Sequence, residues 1–121
     1  MTRQTAYDYF IRGLDLLGRH HPAQAAVLLE KAKTLEPSKG SIREALGRSY
    51  FNYGQWEQAS QEFGRALEID PTNHYAHFGL ALSLDKLGEP VRALGHLRLA
   101  LAMEPGSDDY SAALERLAGQ T

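Results

Sequence analysis

Three prolines, Pro37, Pro71 and Pro105, stand 34 residues apart in a chain that holds only five. The same shift superposes Ala25, Ala59 and Ala93, then Ala32, Ala66 and Ala100, then Gly13, Gly47 and Ala81. The stretches that end at the prolines align too: Glu-Lys-Ala-Lys-Thr-Leu-Glu-Pro, Gly-Arg-Ala-Leu-Glu-Ile-Asp-Pro and Arg-Leu-Ala-Leu-Ala-Met-Glu-Pro. A period of this length marks stacked supersecondary units. The units run over about 6–39, 40–73 and 74–107, with a remnant at 108–118. A unit this short cannot bury its own apolar face, so each must lean on its neighbours.

Each unit reads as two helices. Ile42, Ala45, Leu46, Ser49, Tyr50 and Tyr53 recur at helical spacing. Gly54 then suits the left-handed residue that ends a helix. Trp56, Ala59, Phe63, Ala66 and Leu67 carry the second helix until Asp70-Pro71, where proline disfavours a helical predecessor. Gly88 and Pro90 repeat this punctuation, Pro22 opens the matching helix in the first unit, and His20-His21 fills the turn where a glycine is expected. The small residues let backbones approach. Gly13, Gly47 and Ala81 are expected to face Ala25, Ala59 and Ala93, and Ala32, Ala66 and Ala100 to meet the next unit. Leu16 with Leu29, Tyr50 with Phe63 and Leu84 with Leu97 fill the space around them. The remnant carries Tyr110, Leu114 and Leu117 on one stripe and Asp108, Asp109, Ser111, Glu115 and Arg116 elsewhere, which suits a capping helix. The sum is an all-α solenoid of seven helices within one domain.

Composition narrows the chemistry. The 121 residues include no cysteine, which removes disulfides, thiolate zinc sites and cysteine nucleophiles. A net charge of −2 offers no broad attraction to phosphate backbones or anionic lipid, so neither nucleic acid nor membrane is expected as a partner. No apolar run approaches the ~18 residues of a membrane span, and the first residues lack a signal peptide's apolar core. A cytoplasmic location follows as an expectation. Neither glycine-rich phosphate-binding pattern occurs. His74 and His77 sit three apart with no third ligand near in sequence, and they read as exposed or cap-proximal residues. Acidic and basic residues, such as Arg12 with Asp8 and Asp15, Glu44 with Arg48, and Asp85 with Lys86, read as solvated pairs. No metal, cofactor or catalytic centre is expected.

The pattern resembles the tetratricopeptide repeat, whose signature runs Trp-x₂-Leu-Gly-x₂-Tyr, then Ala-x₃-Phe, Ala and Pro. The middle unit matches at Leu46, Gly47, Tyr50, Ala59, Phe63, Ala66 and Pro71, with Arg43 in place of the Trp. The outer units match more loosely, through Gly13, Ala25, Ala32 and Pro37 and through Leu80, Ala93, Ala100 and Pro105; Arg12 replaces the usual Leu. The resemblance implies a right-handed superhelix that acts as a protein–protein interaction scaffold, with first helices lining a concave groove. Carried over position by position, the groove takes Tyr7, Phe10, Leu14 and Leu17 from the first unit. Ser41, Glu44, Arg48, Phe51 and Asn52 come from the second, and Tyr75, Phe78, Leu82, Asp85 and Lys86 from the third. Asp109, Ala112 and Arg116 are expected to close one end.

The first helix supports such a surface independently. Tyr9, Gly13 and Leu16 make one stripe for the interior, and Tyr7, Phe10, Leu14 and Leu17 make a second, which marks an interaction site if exposed. Two apolar pockets are expected, around Phe10/Leu14 and Phe78/Leu82, separated by polar Glu44 and Arg48 and suited to a peptide or helix of a partner protein. Homo-oligomerisation through the N-terminal helix is the alternative.

Overall fold

The computed structural model describes residues 3–120, which form seven helices and no strand. These are α1 (Ala6–Gly18), α2 (Pro22–Leu35), α3 (Gly40–Asn52), α4 (Trp56–Ile69), α5 (His74–Lys86), α6 (Pro90–Met103) and α7 (Asp108–Ala118). α1 starts on a reciprocal cap: the Thr5 hydroxyl accepts from the Asp8 amide at 3.1 Å, and the Thr5 amide donates to Asp8 at 2.9 Å. That backbone donor, with the Thr5 hydroxyl, holds the Asp8 carboxyl below its ordinary value. The turn inside each hairpin is built the same way. The amides of His21, Gln55 and Glu89 donate to the carbonyls of Leu16, Tyr50 and Leu84, each at 2.9 Å. That closure needs a left-handed residue just before the donor, supplied by His20 (φ 64°), Gly54 (φ 84°) and Gly88 (φ 79°).

α1–α2, α3–α4 and α5–α6 pack as hairpins, and each second helix also packs on the first helix of the next unit. Gly13 and Gly47 lie nearest to large side chains, not to the alanines that the sequence led us to expect. A Cβ on Gly13 would fall 2.6 Å from Leu29 Cγ, and one on Gly47 would fall 2.9 Å from the Phe63 ring. The vacancy admits a large side chain from the paired helix, which gains more contact than two small residues meeting. Phe63 reaches further: a Cβ on Gly79 would lie 2.3 Å from its Cζ. Glycines of α3 and α5 thus clasp one ring of α4. Ala25, Ala32, Ala59, Ala66, Ala93 and Ala100 are all fully buried.

A polar lock joins the first two units. Glu62 is 5% exposed, and its carboxylate receives Arg43 Nη1 at 2.8 Å and Lys33 Nζ at 3.5 Å. Arg43 also donates from Nε to the Pro37 carbonyl at 3.0 Å, and Lys33 pairs with Glu30 at 2.8 Å. Burial pushes the Glu30 carboxyl up, but hydrogen bonds from Lys33 and Tyr50 outweigh it and leave it below the ordinary value. Among the described residues none of the expected pairs along single helices closes to an ion pair, although the charge of Arg12 also helps to lower the Asp8 carboxyl. Arg12 donates to Gln4, Asp15 pairs with Arg19, Glu44 accepts from Asn73, and Asp85 pairs with Arg116. Asp85 and Lys86, as sequence neighbours, point to different faces of α5.

Both ends differ from the middle. α7 buries Tyr110, Ala113 and Leu117 and leaves Glu115 and Ala118 exposed. On α1, Asp8, Arg12 and Asp15 stand in register with Ile42, Leu46 and Ser49, all of which are buried in α3. Charged side chains therefore mark the outer surface of the first unit.

The clasp around Phe63 makes opposite forecasts for two glycines. Gly79→Ala forces a Cβ into the ring and should lower stability by about 1–3 kcal/mol. Gly64→Ala, with no atom within 4 Å, should raise it by about 0.5–1 kcal/mol. Urea unfolding monitored by circular dichroism checks both signs.

Candidate functional site

α1 touches α3 and α3 touches α5, whereas α2, α4 and α6 meet chiefly the first helices beside them. The layer of first helices is the tighter one, so the array curves toward it, and its inner surface carries part of the expected groove set.

A cleft of about 120 Å³ opens between α3 and α5. Arg48, Phe51 and Asn52 line it from one side, and Tyr75, Phe78 and Leu82 from the other. All six were anticipated. Phe63 and Gly79 complete the lining, and sequence reasoning missed both because Phe63 was assigned wholly to the interior. The available signal was Gly79 itself, a glycine whose register partners are Ile11 and Ala45. The floor is aromatic: Phe63 meets Tyr75 edge-on at 6.4 Å, Tyr75 meets Phe78 at 6.3 Å, and Phe78 meets Tyr110 of α7 at 4.7 Å. Burial pushes the Tyr75 phenol above its ordinary value.

A second cleft, of about 260 Å³, lies where α1 meets the start of α3. Ala6, Tyr7 and Phe10 face Lys39, Ser41 and Ile42 across it, and Tyr7 is 70% exposed. Leu14 is half-buried against the α1–α3 core and lines neither cleft.

Several expected groove residues serve elsewhere. Leu17 is 4% exposed and belongs to the core with Ala6. At 3.6 residues per turn, Ala6, Gly13 and Leu17 share one side of α1, so the apolar arc centres between the two stripes and Leu17 falls at its middle. Lys86 places its ammonium 5.5 Å from the Trp56 ring centroid, a cation–π contact with α4 in place of an inner cation. Glu44 accepts a hydrogen bond from Asn73 Nδ2 at 2.8 Å, and Asp85 and Arg116 are 3.5 Å apart, tying α5 to α7. Asp109 and Ala112 are exposed on α7. Arg48 is exposed, and its guanidinium forms no ion pair among the described residues.

Of the two histidines, His74 opens α5 and is partly exposed, as expected, and His77 departs from expectation. His77 is 6% exposed, so it is neither a surface nor a cap residue, and its Nε2 lies 2.9 Å from the Pro71 carbonyl. His74 Nδ1 lies 2.8 Å from the Tyr110 hydroxyl. Among the described residues no three metal-ligating side chains cluster, and no helix is long and apolar enough to cross a membrane.

The sequence model of a family described as TPR repeat matches residues 47–88. Superkiller complex protein 3 of Mus musculus is 30% identical over 106 residues, which is 88% of this chain but 7% of that protein. Small glutamine-rich tetratricopeptide repeat-containing protein 2 of Mycosarcoma maydis is 29% identical over 58 residues, 48% of this chain and 16% of that one. The chain therefore spans a small fraction of the curated relatives it matches. Among solved structures, the first TPR of Spaghetti (RPAP3) bound to HSP90 peptide SRMEEVD superposes with a TM-score of 0.92 at 14% identity, covering 99% of this chain and 95% of that one. The Arabidopsis OM64 TPR domain gives 0.93 at 19% identity, with 96% of each chain covered. YrrB, a TPR protein with an unusual peptide-binding site, gives 0.87 at 20% identity, covering 93% of this chain and 58% of that one.

Phe78 rests on Tyr110, so the far wall of the α3–α5 cleft depends on α7. Tyr110→Ala should cost about 3–5 kcal/mol and loosen that wall. Tyr110→Phe keeps the ring and loses only the hydroxyl's bond to His74, about 1 kcal/mol. Thermal unfolding of the two variants separates the contributions.

Proposed function

We propose that this tetratricopeptide-repeat protein is an interaction module that holds an apolar segment of another polypeptide in its inner groove. The observation that carries the reading is the α3–α5 cleft, a preformed apolar recess bordered by the Arg48 guanidinium, which makes no ion pair among the described residues. Such a recess takes an aliphatic or aromatic anchor, while Arg48 and Asn52 at its rim offer donors to a carbonyl or carboxylate beside that anchor. The second cleft, at Tyr7 and Phe10, gives a longer segment another apolar contact. Peptide binding by the similar Spaghetti domain supports this class of partner. The acidic sequence of that peptide does not transfer, because Arg48 is the sole unpaired cation in the α3–α5 cleft.

Self-assembly through α1 has less support. A second copy stacked on that face would bury Asp8, Arg12 and Asp15, and desolvating charges without partners is costly. Light scattering should return a monomer mass that does not change with concentration.

A displayed library of random peptides tests the groove. Selected peptides should share an apolar anchor, and Leu82→Asp and Arg48→Glu should each weaken binding at least about tenfold, or about 1.4 kcal/mol, without changing Tm. Binding unaffected by both folded variants would reject this groove as the site.

A further inference from the structure

His77 of α5 and His96 of α6 face each other across the third hairpin. Their Nδ1 atoms are 3.0 Å apart and their rings stack with centroids at 5.3 Å. The Nε2 of His77 lies 2.9 Å from the Pro71 carbonyl. A carbonyl only accepts, so Nε2 carries the hydrogen and the Nδ1 of neutral His77 presents a lone pair. The Nδ1–H of His96 donates to it. One hydrogen sits between two nitrogens, and the bond exists only while His77 Nδ1 is unprotonated.

The same three positions recur one unit earlier. Shifting back by 34 residues turns Pro71, His77 and His96 into Pro37, Arg43 and Glu62. There Arg43 Nε donates to the Pro37 carbonyl at 3.0 Å and Nη1 to Glu62 at 2.8 Å. Both hairpins are therefore tied at one register position, between the first helix, the turn before it and the second helix. In the middle unit the tie is a guanidinium on a carboxylate, which keeps its charges through the physiological range. In the third unit it is a pair of imidazoles, the side chain that titrates within that range.

We propose that the His77–His96 pair is an acid-released latch. With the rings neutral it holds α5 to α6; once both are protonated, two facing N–H groups and two positive charges push the third hairpin open. α5 supplies Tyr75, Phe78 and Leu82 to the cleft, so the groove wall loosens with it.

The surroundings favour this sense. Burial chiefly, then the neighbouring His77 and then Arg92 of α6, hold His96 below the ordinary histidine value. Among the described residues no carboxylate of α3, α4 or α7 forms an ion pair with either ring, and the histidine–carboxylate contact nearby is His74 with Glu104, at 3.7 Å. The Asp70 carboxylate, next to Pro71, is taken by Thr72. With a folded-state value below the unfolded one, the unfolded chain binds more protons at mildly acid pH. The latch's contribution is thus full above about pH 6.5 and is lost as pH falls below it.

The test needs no partner, so it stands apart from the groove reading. Thermal unfolding is followed from about pH 7.5 to about pH 5, a span centred on histidine titration, for the wild type and for the double variant His77→Arg/His96→Glu, which copies the middle unit. The wild-type Tm should fall by about 5 °C more than that of the double variant, and hydrogen exchange should show protection lost first in α5 and α6. Equal pH dependence, with loss spread over all hairpins, would overturn the latch. If the double variant fails to fold, His96→Gln, which keeps an N–H donor for His77 without the second titrating ring, takes its place. Imidazole nitrogen spectra of the wild type decide independently: a His77 ring protonated at Nε2 at neutral pH supports the latch, and two rings titrating separately near the ordinary value refute it.

Discussion

The Phe63 ring sets how closely three helices can approach. It projects from α4, lies against Gly47 of the paired helix and Gly79 of the next unit, and is 2% exposed. Burying such a side chain stabilises by about 1.5–3 kcal/mol, but here the geometry matters more than the area. Any Cβ at either glycine would push α3 or α5 outward, and the two helices that frame the cleft would move with it. The ring that closes the core between α3 and α4 is also part of the cleft's lining. Core and site share one residue, so the groove is as rigid as the packing beneath it.

The repeat was legible because it depends on local rules. Prolines that end helices, left-handed turn residues and small residues at fixed spacing each have a backbone cause, and even His20 was readable as the residue in a glycine's place. Contacts between helices were less legible, since periodicity says that a position recurs and not what it touches. Gly13 and Gly47 read as partners of alanines, and the structure gives them Leu29 and Phe63. Leu17 followed a stripe drawn on α1, yet the buried arc centres between the two stripes. For the cleft, six of the eight lining residues are ones that the family resemblance had carried over. The reach of Lys86 to Trp56 was not legible, because a long flexible side chain chooses among several neighbours.

Polar chemistry inside the hairpins was hidden for a different reason. Arg43 with Glu62, and His77 with His96, each lie 19 residues apart, a separation that belongs to no helical period. Scanning single helices for neighbours three or four apart misses them and proposes solvated pairs instead. Register comparison between units exposes them: Tyr9 and Leu28, Arg43 and Glu62, and His77 and His96 occupy equivalent places. The repeat fixes where two side chains meet across each hairpin and leaves their chemistry open, so neighbouring hairpins of one backbone design differ in how their ties respond to protons.

The two ends of the array make unequal surfaces. At the N-terminal end, Tyr7 stands 70% exposed over an open cleft, flanked by a face in which charges replace the apolar residues of the later units. At the other end, α7 does more than cover apolar area. Tyr110 packs its ring against Phe78 and bonds His74, and Arg116 reaches Asp85, so the cap braces α5 from outside while Phe63 braces it from within. The recess between α3 and α5 is thus braced from two sides, whereas the cleft at α1 is bordered by an exposed ring. Preorganisation lowers the ordering lost on binding, so under the proposed reading the braced α3–α5 cleft is the better seat for an anchor, and Tyr7 beside the N-terminal cleft offers a further exposed aromatic surface.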